Sequence, residues 1–332
     1  IHGQVQLDER LAGELSLALP RLDQLQPGAA GRLQGRIKLS GTLEQPDADI
    51  QLNGSRIAFE GQRIRDLKLT GNLRQGNSGS LDLSARGLAS ADEQLGQLQL
   101  KAGGDLGQHQ LTLELKGPLA NADLQLSGSL QPDQLHWQGQ LQQLQVALGN
   151  QQWALEQPLA IDYLHEKYAR LAAHCLRSEH GRLCATGQQQ LLPQLQLDYR
   201  LQEFSLASLQ PWLSSGLAME GRLNGQLLLN EGKAGLQGKV LLDAGQGALL
   251  LEQEGERFAW NVLAVQADLL PQQIDTRIEL QGAEQGQLLV QASIDPRPDS
   301  KPLKGSFTLR QLDLNALHGF VADLEHLRGG IE

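Results

Sequence analysis

Aromatic side chains are scarce: 4 Trp, 3 Tyr and 5 Phe supply 4% of 332 residues. Sandwich cores lean on large rings interdigitating across about 10 Å, and transmembrane β-barrels carry aromatic girdles at both interfaces. So few rings favour neither. No apolar run approaches the roughly 20 residues of a membrane-spanning helix. Asn is too sparse for the ladders of a parallel β-helix. Pro totals 12 and Gly shows no three-residue period, which excludes collagen. The 8 His are scattered, and no Gly-x-Ser-x-Gly, His-Glu-x-x-His or Walker-type loop occurs. No enzyme is therefore expected, and no cofactor. Basic residues number 28 against 38 acidic, a net charge of −10, which argues against nucleic acid and against docking on an anionic membrane face. Carboxylate pairs such as Glu252 and Glu254 read as solvated charge on a strand's polar face.

Only two cysteines are present, nine apart in His174-Cys175-Leu176-Arg177-Ser178-Glu179-His180-Gly181-Arg182-Leu183-Cys184. With Glu179-His180 as a two-residue hairpin tip, Cys175 faces Cys184 across the ladder, within the span of a disulfide. That leading reading implies an oxidising compartment. Two free thiols in a reducing cytosol, or a metal site using Cys175, His180 and Cys184 with His174 as a further ligand, are the alternatives; the spacing matches no common zinc framework. The chain opens at Ile1-His2-Gly3-Gln4 inside a strand-like alternation and closes on Arg328-Gly329-Gly330-Ile331-Glu332. It reads as a segment of a longer chain, so the lack of targeting signals says nothing about compartment.

What is abundant is Leu, Gln and Gly: 70, 44 and 37 residues, about 45% of the chain. They fall into a period of two. Leu33, Gly35, Ile37, Leu39, Gly41 and Leu43 alternate with Gln34, Arg36, Lys38, Ser40 and Thr42. Similar series run through Leu67-Leu69-Gly71, Leu81-Leu83-Ala85, Leu111-Leu113-Leu115, Ala122-Leu124-Leu126 and Gly221-Leu223-Gly225-Leu227-Leu229. Others are Leu236-Gly238-Val240-Leu242, Phe258-Trp260-Val262-Ala264, Ile274-Thr276-Ile278-Leu280 and Leu288-Val290-Ala292-Ile294. Such alternation predicts strands with one apolar and one polar face, separated by turns such as Gly76-Asn77, Gly103-Gly104-Asp105 and Gly245-Gln246-Gly247. About twenty strands with short connections predict antiparallel pairing. Gly weakens a strand unless clearance is needed. Gly35, Gly41, Gly71, Gly117, Gly221, Gly225 and Gly238 are therefore expected to leave room on the apolar face for something apolar that is not protein.

Two stretches break to helical spacing. Asp313 to Leu327 places Leu314, Leu317, Val321 and Leu324 on one stripe, and Ser205 to Leu213 is a second copy. Leu206, Leu209, Leu213, Met219, Gly221 and Leu223 match Leu314, Leu317, Val321, Leu327, Gly329 and Ile331 at an offset of 108, which predicts a repeated strand–helix–strand unit near 195–230 and 303–332. These helices either cover part of the sheet's open seam or protect a strand edge.

The Gly-x-Leu-x-Gly-x-Ile-x-Leu-x-Gly-x-Leu-x-x-Pro pattern from Gly31 to Pro46 resembles the TamB family of AsmA-like, bridge-type lipid transfer proteins. So do Leu303-Lys304-Gly305-Ser306-Phe307-Thr308-Leu309 and the Leu-rich segment leading to Arg328-Gly329. The resemblance implies an all-β fold: a long, mostly antiparallel repetitive sheet curled into a U-shaped β-taco groove with a few short amphipathic helices, continuous over 1–332. It implies a place in the periplasm, as part of a protein anchored in the inner membrane of a Gram-negative bacterium that meets a TamA-like outer-membrane barrel protein through parts of the chain outside this segment. The implied partners are phospholipids, passed between the membranes with acyl chains in the groove. The expected lining is Leu111, Leu113, Leu115, Leu124, Leu126, Leu223, Leu227, Leu229, Val240, Leu242, Ile278, Leu280 and Val290. A chaperone-like assembly factor for outer-membrane β-barrels and a dry-core structural repeat are the other readings.

Overall fold

A computed structural model describes residues 2–7, 10–91, 93–251, 255–283, 286–297, 302–313 and 330–331. The fold is all-β: 74% of the chain is strand and 3% helix, the strands antiparallel. Two compact units divide the chain, Ile1–His165 and Glu166–Glu332.

In the first unit the alternating segments form a meander, because hairpin connections are too short for anything but antiparallel pairing. Strands His2–Leu7, Leu11–Leu19, Ala30–Gly41, Pro46–Phe59, Gln62–Arg74 and Ser78–Ser90 each pair with the next. The ladder continues through Glu93–Asp105, His109–Lys116, Ala120–Gln131 and His136–Leu148. Both Gln151–Leu155 and Leu159–Leu164 pair with His136–Leu148. Gly103 and Gly104, expected in a turn, lie inside a strand opposite Gln110 and His109, and Leu106 to Gln108 make the turn instead.

In the second unit the main ladder runs Gln196–Ser205, Leu217–Gly232, Gly235–Asp243, Glu256–Leu270, Gln273–Gly282, Gln287–Ile294 and Leu303–Arg310. Gly247–Leu251 continues the strand position of Gly235–Asp243 after a break at Ala244–Gln246. The hairpin His174–Ser178 with Gly181–Ala185 precedes them, and Cys175 pairs with Cys184 across it.

One alternation differs from expectation. The register of Glu256–Leu270 shifts between Trp260 and Val262. A bulge adds one residue and so moves everything beyond it to the other face. Phe258 and Trp260 share a face with Leu263 and Val265, while Val262 and Ala264 stand on the polar face opposite Gln281 and Glu279.

The segment Leu206–Trp212 is a 3-10 helix rather than the expected amphipathic α-helix, and Pro211 sits inside it. It joins Gln196–Ser205 to Leu217–Gly232. The backbone just before it turns through Glu203 with φ 52°, and Phe204 pairs with Leu223. The same signature recurs 108 residues on: Gln311 has φ 51° and Leu312 pairs with Ile331. The predicted helix over 313–327 lies outside the described residues, apart from Asp313.

A candidate apolar binding face

Cross-strand partners lie on one side of a sheet, so the pairings show what each face carries. In the first unit one row reads Leu15–Ile37–Ile50–Gly71–Leu81–Ala102–Leu111–Leu126–Leu141–Leu159, ten strands long. Beside it run Leu17–Gly35–Leu52–Leu69–Leu83–Leu100–Leu113–Leu124–Leu144 and Leu19–Leu33–Gly54–Leu67–Ala85–Leu98–Leu115–Ala122–Val146. The opposite face reads Ser16–Arg36–Gln51–Thr70–Asp82–Lys101–Thr112–Gln125–Gln143. Ten strands at a spacing of ~4.8 Å give an apolar strip about 43 Å long.

Most of these leucines are half-buried, not buried. Buried hydrophobics in the first unit reduce to Leu19, Ala48, Ala85, Ala89, Leu141 and Leu159 among the described residues. Enclosed cores bury whole Leu, Ile and Phe side chains as a rule. Here the broad middle of the face keeps partial exposure across successive strands.

The second unit repeats the arrangement. Leu201–Gly225–Leu242–Val265–Ile278–Val290–Phe307 crosses seven strands, flanked by Tyr199–Leu227–Val240–Ala267–Thr276–Ala292–Gly305 and Leu197–Leu229–Gly238–Leu269–Ile274–Ile294–Leu303. Of the predicted lining, Leu111, Leu113, Leu115, Leu124 and Leu126 come together in the first unit. Leu227, Leu229, Val240, Leu242, Ile278 and Val290 come together in the second. Leu223 and Leu280 differ: they pack against a buried cluster of Leu206, Ala244, Phe258 and Trp260.

The space beside the face's glycines is not vacant. A Cβ on Gly225 would come within 2.9 Å of Leu242 Cδ2, and one on Gly238 within 2.6 Å of Leu229 Cδ2. Gly35 is similarly overlain by Leu52, Gly128 and Gly139 by the Trp137 indole, and Gly247 by Trp260. The clearance that was expected to admit a guest is filled by the protein's own neighbouring side chains. Sequence reasoning left out Trp137 and placed Trp260 on an apolar strand face without its glycine seat; the signal was a neighbouring glycine, since Gly128 and Gly139 pair two residues along from Trp137 and Gly247 pairs with Trp260. The Trp137 indole N–H donates to His109 Nε2 at 2.7 Å, which leaves Nδ1 to donate to the Asp105 carbonyl at 3.0 Å.

Polar interactions gather on the other face. Arg36 pairs with Glu14 at 2.9 Å and Arg74 with Asp49 at 2.6 Å, both exposed, so each contributes at most about 1 kcal/mol. A shallow polar-face depression of about 920 Å³ is lined by Arg200, Gln226, Gln266 and Arg277, with Val262 and Ala264 as the apolar residues the bulge delivers there. On the apolar face itself, the Tyr199 hydroxyl lies 3.1 Å from His174 Nε2, and burial pushes the phenol above its ordinary value of 10. Cys175 and Cys184 form a disulfide. Among the described residues no three His, Cys, Asp or Glu converge as a metal-ligand set, and no helix is long and apolar enough to cross a membrane.

The family described as "TamB, N-terminal domain" matches residues 1–332. The chain belongs to the TamB family. A relative from Haemophilus influenzae, the translocation and assembly module subunit TamB, is 26% identical over 182 residues. That match covers 54% of this chain and only 14% of the relative. No solved structure matches.

Proposed function

We propose that this TamB-family chain is a lipid-conducting segment of a translocation and assembly module, holding phospholipid acyl chains against its leucine face. One observation carries the reading: unbroken apolar rows cross up to ten strands with their leucines half exposed. Exposing an apolar strip of this size to water is costly, and contiguous apolar patches beyond a few hundred Å² mark binding surfaces. A phospholipid supplies what the two faces need. Its acyl chains are apolar, flexible and free of hydrogen-bond demand, and its headgroup stays in water at the edge of the face.

The same rows suit passage better than storage. Cross-strand leucines fill the glycine gaps, so the floor has no deep notch to hold a chain in one place. Side-chain partners change little from strand to strand, and an acyl chain moving along a row exchanges one leucine contact for the next. In this reading the segment works in the periplasm, as part of an inner-membrane-anchored protein that extends toward a TamA-like outer-membrane barrel. It supplies binding and a path, with no chemistry on the lipid.

Lipid extraction and mass spectrometry of the purified chain test the proposal. Co-purifying phospholipid and uptake of a fluorescent lipid are expected; absence of both refutes it. In the whole protein, Leu126→Arg and Leu227→Arg should each block lipid passage while the fold persists.

A further inference from the structure

The second unit does not leave its whole apolar face open. Three of its rows meet the Leu206–Trp212 segment. Gly221–Gly247–Trp260–Gly282 and Met219–Leu249–Phe258 run beneath it, and the half-buried row through Leu223, Leu263 and Leu280 packs against its edge. Leu206 is 4% exposed, Trp260 4% and Phe258 6%, and Leu209, Met219 and Leu249 pack around them. This is a small closed core on a face that is otherwise half open.

The seat is built for the segment. Three glycines in the Trp260 row remove side chains, and the indole lies over Gly247. At Gly221 the backbone has φ 126°, and a Cβ would sit 3.3 Å from Leu206 Cδ1. The segment closes on itself through the Ser208 hydroxyl, which donates to the Ser205 carbonyl at 2.6 Å. The Gln210 amide donates to the Leu217 carbonyl at 2.8 Å. From Ser205 to Met219 there is no charged side chain, so nothing holds the segment out in water.

A comparison inside the chain shows that the motif alone does not enforce this. Leu22-Asp23-Gln24-Leu25-Gln26-Pro27 in the first unit matches Leu206-Ala207-Ser208-Leu209-Gln210-Pro211. Its 3-10 turn, Leu22–Gln24, buries no residue and leaves Leu25 59% exposed. In the second unit, by contrast, the segment covers the Trp260 and Phe258 rows and borders the Leu223–Leu263–Leu280 row.

We propose that Leu206–Trp212 is a plug that confines acyl chains in the second unit to the three rows through Leu242, Val240 and Leu229. The role rests on the lipid reading above. The segment sets the width of the path there, and displacing it widens the path to include Leu223, Leu263 and Leu280. Ile278 and Leu280 are two residues apart on one strand face, one in the open row beside Val265 and one beside the plug.

The test compares these neighbours. Single cysteines at Ile278→Cys and Leu280→Cys are labelled with a maleimide without lipid; the native cysteines are tied in their disulfide. Labelling at 280, where the side chain packs against the plugged cluster, is expected to be slower than at 278. Leu206→Ala, or Leu206→Ser where it folds, should remove most of that difference. Diazirine side chains at the same positions, exposed to phosphatidylethanolamine and phosphatidylglycerol vesicles, should cross-link lipid at 278 but not 280, and at both after Leu206→Ala. Equal labelling at 278 and 280 in the unaltered background overturns the plug whatever the lipid result. Protection at 280 that Leu206→Ala relieves, with no lipid cross-link at either position, overturns the lipid reading and leaves the segment a structural cover.

Discussion

Replacing Leu113 with Arg distinguishes an open face from a covered one. Leu113 lies in the middle of its row, between Leu100 and Leu124, all three half-buried. Full burial of a leucine contributes about 1.5–3 kcal/mol, so a half-buried one contributes roughly 1 kcal/mol. An arginine there can lay its methylene stem along the row and hold its guanidinium in water, and the expected net loss is about 1 kcal/mol. Were a second layer packed on this face, the same change would bury an unpaired charge and force a large head into a filled space. That costs about 4 kcal/mol or more. Leu206→Arg supplies the internal standard, because Leu206 is 4% exposed within a closed cluster and should show the large value. Urea unfolding of both variants, followed by far-UV circular dichroism, gives the comparison. A loss at Leu113 equal to that at Leu206 would refute the open face and return the chain to a dry-core repeat.

Four further outcomes are expected. Non-reduced protein should contain no titratable thiol; two thiols in a colorimetric assay would contradict the Cys175–Cys184 bond. Gly128→Ala should push the Trp137 indole off its glycines, weaken its 2.7 Å bond to His109, shift the tryptophan emission and destabilise by about 1–3 kcal/mol; an unchanged emission spectrum would count against that packing. Arg297 holds the Asp295 carboxyl down at about 2, so an NMR titration should find Asp295 ionised well below the ordinary carboxylate range, and Arg297→Ala, which removes the guanidinium but keeps the backbone N–H bond, should raise it. Because the folded value is depressed, any stability from this exposed pair is present above the unfolded pKa and fades as pH falls toward 2. Tyr199 carries the opposite sign: its raised phenol pKa means stability is full below pH 10 and lost as pH rises beyond it, so Tyr199→Phe should flatten alkaline unfolding.

Much of the fold was legible because period two is a local property. The series Leu111-Leu113-Leu115 and Ala122-Leu124-Leu126 became paired rows in the expected faces, and the Glu179-His180 tip put Cys175 opposite Cys184. Errors arose where one residue changed the count. The bulge after Trp260 reassigned Val262 and Ala264 to the polar face, and nothing in Ala-Trp-Asn-Val-Leu announces an extra residue. The short segment at Leu206 was legible as a break, but its seat was not. That seat depends on Gly221, Gly247 and Gly282 aligning across three strands, a register that no single strand encodes.

The glycines show most clearly what pairing adds to composition. Gly35 lies between Leu17 and Leu52, Gly54 between Leu33 and Leu67, and Gly71 between Ile50 and Leu81. Gly225 lies between Leu201 and Leu242, and Gly238 between Leu229 and Leu269. In each case a residue without a side chain is flanked on both strands by large aliphatic ones. Leucine's branched end can lean sideways over the gap, where it recovers contact area that a single-layer sheet cannot obtain from a second layer. Val and Ile, better strand formers, branch at Cβ and reach sideways less. The preference for Leu with Gly over Val with Ile is therefore what a sheet needs when it must tile one apolar face within its own plane. Among the described residues the buried rings Phe258 and Trp260 stand under the Leu206–Trp212 segment, while Trp137 lies over the paired Gly128 and Gly139. A face that tiles itself is smooth, and smoothness is what the proposed contact with mobile acyl chains requires.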